Sequence, residues 1–245
     1  MIKKAALFLL LLGVGACSTT GTSTHEIADP LEGFNRPMFA FNDALDESVL
    51  VPVAKGYRFV TTEWVRNRFS AASANLGEPK TVVNYTLQGE PGNMTVSLGR
   101  FLVNSTLGLL GTFDVATGWG WTVDKTNFDQ TLGKYCIPDG PFLVLPFVPA
   151  TTPRAFVAGF VDGYANPVWM ATQSREDGIY VYAGYYVADM IIMREANLEF
   201  IDDIKKNSVD YYATMRAMYM QNKSKYNRCQ GGDSTDAYDF DFDEE

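Results

Sequence analysis

Few side chains in this chain are equipped for reactive chemistry. It has one histidine, His25, and three cysteines, Cys17, Cys136 and Cys229. It also has one carboxylate, Asp114, standing alone in apolar sequence. His25 falls in the small, polar run STTGTSTHEIA (18–28), which reads as a flexible tether. A His-based acid–base pair, a Ser-His-Asp arrangement or a His-ligated metal site therefore has nothing to build on. The sequence carries no G-x-S-x-G elbow, no P-loop and no Gly-rich dinucleotide fingerprint, so no cofactor and no metal is expected. Asp114 leaves two uses open. A buried acid can titrate abnormally and act as a catalyst, or it can pair with Arg100 or cap a helix.

Cys17 has a different role. Lys3 and Lys4 form a positive start, Ala5 to Gly13 are a short apolar core, and Val14-Gly15-Ala16 lead straight into the cysteine. That order describes a secretory signal peptide over residues 1–16, with a core too short to cross a bilayer. A cysteine directly after the small residues resembles the bacterial lipobox, which makes Cys17 the lipidated first residue of the mature chain. In an oxidising compartment Cys136 and Cys229 could join mid-chain to the C-terminal end as a disulfide, or remain two unpaired thiols.

Losing Lys3 and Lys4 takes the formal charge from −9 to −11, and seven of the acids lie between Asp233 and Glu245. The glycine break and acidic tract of residues 230–245 read as a disordered tail. The remaining body, at −4, has no basic cluster, so nucleic acid is excluded as a partner. Aromatics make up 13% of the chain, enough either to pack a core or to sit at a membrane–water interface. Lipidation of Cys17 favours the membrane.

The elements between tether and tail read as helices. Ile179, Tyr182, Tyr186, Met190, Met193, Asn197, Phe200 and Ile204 recur at three- and four-residue steps, one face of a long helix. Asn207 and Ser208 interrupt it, and a second helix runs from Val209 to about Tyr226, which suggests an antiparallel pair. Leu31–Leu45, Val53–Phe69 and Glu78–Leu87 read as further helices, and no sustained two-residue alternation supports a sheet. Met94–Trp121 carries only Arg100 and Asp114 as charges and approaches the length of a membrane span. Arg100 and Asn104 lie one turn apart on one side, however, and five glycines weaken a single continuous helix. Helices lying in the bilayer plane, with a polar side turned from lipid, fit better. Pro138–Pro149 (PDGPFLVLPFVP) reads as an extended apolar loop, either a cover on the core or a lip facing a membrane or partner.

At Asp29 the sequence reaches a recognisable signature. DPLEGFNRPMFAFND (Asp29–Asp43) closely resembles the opening of the MlaA (VacJ) family of outer-membrane lipoproteins. Blocks in the family's order follow, among them PVAKGYRFV (Pro52–Val60), NLGEPKTVVN (Asn75–Asn84) and LQG (Leu87–Gly89). They continue through RFLVNSTLGLLGTFDVA (Arg100–Ala116), QTLGKY (Gln130–Tyr135), DGPFLVLPF (Asp139–Phe147) and SVDYYATMRAMY (Ser208–Tyr219). Two departures stand out, Asp129 and Cys136, each where the family commonly has glycine. The second makes a bridge to Cys229 more plausible.

The resemblance implies an all-α, single, ring-like (doughnut) domain over residues 29–229, embedded in the inner, periplasmic leaflet of the bacterial outer membrane. An extended Pro-rich loop completes it. Its implied task is to take phospholipids that have strayed into the outer leaflet through an amphipathic channel to a periplasmic lipid carrier, preserving lipid asymmetry. A trimeric porin is the implied partner, with contacts expected along Thr61–Val83 and Pro138–Pro149. Ser18 after the lipidated cysteine resembles outer-membrane lipoproteins. Asn35, Arg36, Asn42, Asn84, Gln88, Arg100, Asn104 and Asp114 are polar residues within the apolar family blocks. In an embedded ring they should face one another or the pore, where Arg36 and Arg100 could attract lipid phosphate. The chain is thus read as a non-enzyme; a carboxylate-dependent outer-membrane phospholipid hydrolase and a structural envelope lipoprotein are the alternatives. If the ring is itself embedded, the Cys17→Ala protein, which has no acyl chains, should still float with liposomes. A product found wholly in the aqueous fraction would contradict the embedding.

Overall fold

The computed structural model describes residues 29–226. The signal peptide, Cys17, the tether with His25, Cys229 and the acidic tract lie outside the described residues. Twelve α-helices follow one another among those described. They are α1 (Glu32–Leu45), α2 (Val51–Val60), α3 (Glu63–Leu76), α4 (Glu78–Leu87), α5 (Pro91–Thr106) and α6 (Val115–Gly118). A π-helical turn, Asp46–Leu50, joins α1 to α2. Then come α7 (Phe128–Lys134), strands β1 (Leu143–Leu145) and β2 (Val148–Thr151), α8 (Pro153–Tyr164), α9 (Pro167–Thr172), α10 (Gly178–Ala196), α11 (Leu198–Asn207) and α12 (Tyr211–Ser224).

Local chemistry sets most boundaries. Prolines in the first turn open α4, α5, α8 and α9, where a missing N–H costs nothing. Thr62, Asn127, Thr152, Asn166 and Asp210 cap helices by accepting backbone N–H groups through their side chains. The expected Val53–Phe69 helix is two helices, because Thr61 is extended and Thr62 caps α3 afresh. The expected long helix from Ile179 likewise breaks at Asn197. Nor do α11 and α12 run as an antiparallel pair. Tyr211 and Tyr212 of α12 instead pack tilted and edge-on against Phe39 of α1, and Tyr212 and Tyr219 pack edge-on against Phe142.

The stretch 138–149, expected as an extended apolar loop, runs into an antiparallel β-hairpin over Leu143–Thr151, with Leu143 opposite Thr151 and Leu145 opposite Val148. So short a ladder leaves no alternation to detect in the sequence. The reading as a cover on the core fits its buried residues. Phe142 and Val144 are fully buried beneath it, while Phe147 at its tip is exposed. Cys136 precedes it with φ of 64°, a conformation that suits glycine, and is disulfide-bonded.

The helices close into a ring. Around it, α3 meets α10, α10 meets α9, α9 meets α8, α8 meets α7, α7 meets α4, and α4 returns to α3. α2 packs outside α10, and α1 with α12 flanks the hairpin. Only eight apolar residues are buried among those described, against eighteen polar or charged ones. Outside, Phe59, Val60, Leu109, Leu110 and Phe147 are each more than two-thirds exposed or close to it. A water-soluble domain is built the other way round. No described helix is long and apolar enough to cross a membrane, which removes the spanning reading of Met94–Trp121. That stretch is α5, a turn and α6, with Leu98, Leu102, Leu107 and Leu110 exposed and Arg100 and Asn104 buried on the opposite side.

Two asparagines two turns apart on α1 fasten the hairpin. Asn35 Nδ2 donates to Phe142 O at 3.0 Å, and its Oδ1 accepts Val144 N–H at 3.0 Å. Asn42 Nδ2 donates to Leu145 O and Val148 O, and its Oδ1 accepts Phe147 N–H. Asn35→Ala leaves a buried carbonyl and a buried N–H without partners, which should cost about 2–4 kcal/mol. Thermal unfolding in detergent checks this; an unchanged midpoint would show that the hairpin is held by its apolar face alone.

Candidate functional site

The eight polar residues singled out from the sequence fall into three fastenings. The first, on α1, is the hairpin clamp of Asn35 and Asn42, beside which Arg36 bonds Glu32 and Asp210 and lies over the Tyr212 ring. The second ties α4 to α7 and α8. Asn84 donates to Asp162 at 2.9 Å and accepts from Thr131, while Gln88, one turn on, donates to Thr126 and Thr131.

The third centres on Arg100. Its Nε bonds Glu78 at 2.9 Å, its Nη2 bonds Asp114 at 3.0 Å, and its Nη1 donates to Thr117 and Trp121 O. Asn104 donates to the other Asp114 oxygen and accepts Ala116 N–H. Asp114 both pairs with Arg100 and caps α6, the two structural uses open to it. Burial works against its ionisation, but bonds from Thr117, Arg100 and Asn104 outweigh that and hold its pKa down at about 2. Gly108 makes the turn possible, since a Cβ there would run into the carbonyl oxygens of Asn104 and Phe113.

None of the eight lines the cavities inside the ring. Three cavities adjoin there, and Tyr186 lines them all. The apolar one, about 490 Å³, lies between α8, α9 and α10, walled by Phe156, Phe160, Tyr164, Trp169 and Tyr182. The second, about 370 Å³, is polar, with Lys80, Asn127, Asp129, Arg154, Asp162 and Lys223 in its wall. The third, about 430 Å³, runs between α3, α4 and α10 and shares Lys80 and Asp162 with the second. Thr151, Ala155 and Gly159 are common to the first and second. Shared wall residues thus set an apolar cavity beside one of polar lining and one of mixed lining, with Tyr186 in the wall of each.

Small residues keep these cavities open. Gly159 has nothing within 4 Å of an added Cβ, and Gly163 lets Tyr182 Oη approach its carbonyl to 3.3 Å. Asp129, the departure at a usual glycine, pairs with Arg154 at 2.8 Å and with Lys223 at 3.1 Å. Burial raises the pKa of Asp162 even though Phe128 N–H and Asn84 bond its carboxylate. Among the described residues no cluster of three or more His, Cys, Asp or Glu could hold a metal ion. The sequence held a signal for this wall, because Phe156, Gly159, Phe160 and Gly163 keep one helical face and Tyr182 and Tyr186 lie on the stripe already noted.

Residues 27–226 match the MlaA lipoprotein family. The chain belongs to it. The Escherichia coli K12 protein named intermembrane phospholipid transport system lipoprotein MlaA is 35% identical over 224 residues, 90% of this chain and 86% of that protein. Its namesake in Haemophilus influenzae is 33% identical, covering 91% and 90%. An uncharacterized Rickettsia typhi protein is 38% identical over 193 residues, 78% and 75%. A solved structure described as the structural basis for maintenance of bacterial outer membrane lipid asymmetry superposes with a TM-score of 0.71 at 33% identity, over 82% of this chain and 99% of that one.

The Asp114 cluster makes a pH prediction. A carboxylate whose folded pKa of about 2 lies below its ordinary 3.8 contributes stability that is complete above 3.8 and lost as pH falls towards 2. Asp114→Asn should be less stable at neutral pH and lose part of the acid dependence in that window. Acid titration of the unfolding midpoint checks it; parallel curves for the two proteins would contradict it.

Proposed function

We propose that this chain is an outer-membrane lipoprotein that moves phospholipid across its own ring. Phospholipids displaced into the outer leaflet enter the amphipathic passage and leave on the periplasmic side to a soluble lipid carrier, so that lipid asymmetry is kept. The observation that carries this reading is the junction at Tyr186 of an apolar cavity, a polar one and a third of mixed lining, inside a ring whose outer face is apolar. A diacyl lipid has the same division, with tails for the aromatic side and a headgroup for the side of Lys80 and Asp162. The names of the Escherichia and Haemophilus relatives support it. Transfer of this kind breaks no bond, so the chain acts as a conduit and not as a hydrolase.

The ring sits in the periplasmic leaflet, anchored by acyl chains on Cys17 and held there by its own apolar rim. A trimeric porin is its neighbour. Exposed Trp64, Phe69 and Val83 support contact along Thr61–Val83, and exposed Phe147 supports it at the hairpin tip. A bridge between Cys136 and Cys229 would tie the ring to the chain's C-terminal end.

Gly159→Phe tests the passage without disturbing the fold, because its side chain enters open space and a helical glycine is replaced by a better helix former. A strain lacking the gene should show a rise in surface phospholipid, read as acyl transfer to lipid A. Wild type should reverse it, and Gly159→Phe, inserted at normal level, should not. Full complementation by Gly159→Phe would mean that lipid does not pass between α8 and α10.

A further inference from the structure

The cations lining the second and third cavities are Lys80, Lys125, Arg154 and Lys223. Three are neutralised. Lys125 pairs with Glu78; Arg154 and Lys223 each pair with both Asp129 and Asp139. Among the described residues Lys80 has no ion-pair partner and no side-chain hydrogen-bond acceptor, although it lines both cavities and is partly buried. Its position is set by α4. Lys80 O accepts Asn84 Nδ2 at 3.0 Å, which fixes that turn against α8.

The acid in electrostatic reach of Lys80 is Asp162, which makes no ion pair with it. The Asp162 oxygens are committed to Phe128 N–H at 3.0 Å and to Asn84 at 2.9 Å. A partly desolvated ammonium with no acceptor is unfavourable unless something supplies one. Two amide donors share the second cavity. Asn127 Oδ1 caps α7, while its Nδ2 and the Gln130 side chain make no hydrogen bond to any described residue. A cation with two uncommitted amides around it suits an oxyanion with several acceptor oxygens.

Building on the transport reading, we propose that Lys80 is the anion-binding group of the passage and receives the phosphodiester of a phospholipid headgroup, with Asn127 and Gln130 as neutral donors beside it. The headgroup then pauses between the second and third cavities while the tails occupy the aromatic side of Tyr186. Lysine suits a ligand that must leave again, because a point charge lacks the bidentate grip of a guanidinium.

The test uses the full-length lipoprotein in amphipol, titrated calorimetrically with dihexanoylphosphatidylglycerol. Lys80→Met keeps the apolar stem and removes the charge, and should weaken binding about tenfold, the size of one partly exposed charge-assisted bond. Lys80→Arg should stay within about twofold of wild type, since it restores the charge. An unchanged affinity in Lys80→Met, with wild type binding, would overturn the assignment of Lys80 and leave the conduit standing. Failure of wild type to bind the probe would overturn the conduit itself. Inorganic phosphate competing as well as the lipid would mean a site for free phosphate and would overturn the headgroup assignment.

Discussion

Glu78 is wholly buried, and its two oxygens hold Ser97, Arg100 and Lys125. Through it α4, α5 and the segment before α7 are bound at one point, and Arg100 extends the bond to Asp114 and α6. A ring that is apolar outside and hollow inside has no thick hydrophobic core to stabilise it, so its helices must be joined by polar bonds shielded from water. That arrangement is tolerable only if each charge is matched, since an uncompensated buried ion costs several kcal/mol. The same logic repeats at Arg194–Asp46, where α10 grips the π-helical turn, and at Arg154–Asp129–Lys223, where α7, α8 and α12 converge. Remove such bonds and the ring has little else to close it.

This explains why the sequence pointed to polar residues and why their positions serve fastening. Asn35, Asn84, Arg100 and Asn104 stand out because a charge or amide in an apolar block is expensive unless partnered. Partnering by the protein's own chain uses up the groups that a ligand would need. The passage is lined by residues that look ordinary in sequence, such as Phe156, Gly159, Tyr182 and Tyr186, because an apolar side chain facing a lumen cannot be told from one facing a core. Glu78–Leu87 was legible to the residue, bounded as it is by Gly77, Pro79 and Gly89. The breaks at Thr61 and Asn197 were not, since the apolar period continues across them and only tertiary contacts decide that the chain turns. The hairpin was hidden for a related reason, its register being imposed by Asn35 and Asn42 from a distant helix.

An amphipathic passage also constrains how movement is driven. A lipid whose tails stay on the aromatic side and whose headgroup stays on the polar side never has to place phosphate in hydrocarbon or acyl chains in water, the two large desolvation terms in crossing a leaflet. On the transport reading the ring would lower that barrier for movement either way, and net direction would come from what supplies and removes lipid at its two ends. A site that grips the headgroup too strongly would turn the conduit into a trap. On the same reading, the neutralisation of Arg154 and Lys223 by Asp129 and Asp139 fits that requirement: a lumen with three unpaired cations would hold anionic lipid more strongly than one with a single unshared ammonium. Charge pairing in the polar wall therefore joins α7, α8 and α12 and, if lipid passes there, would also keep the passage permeable.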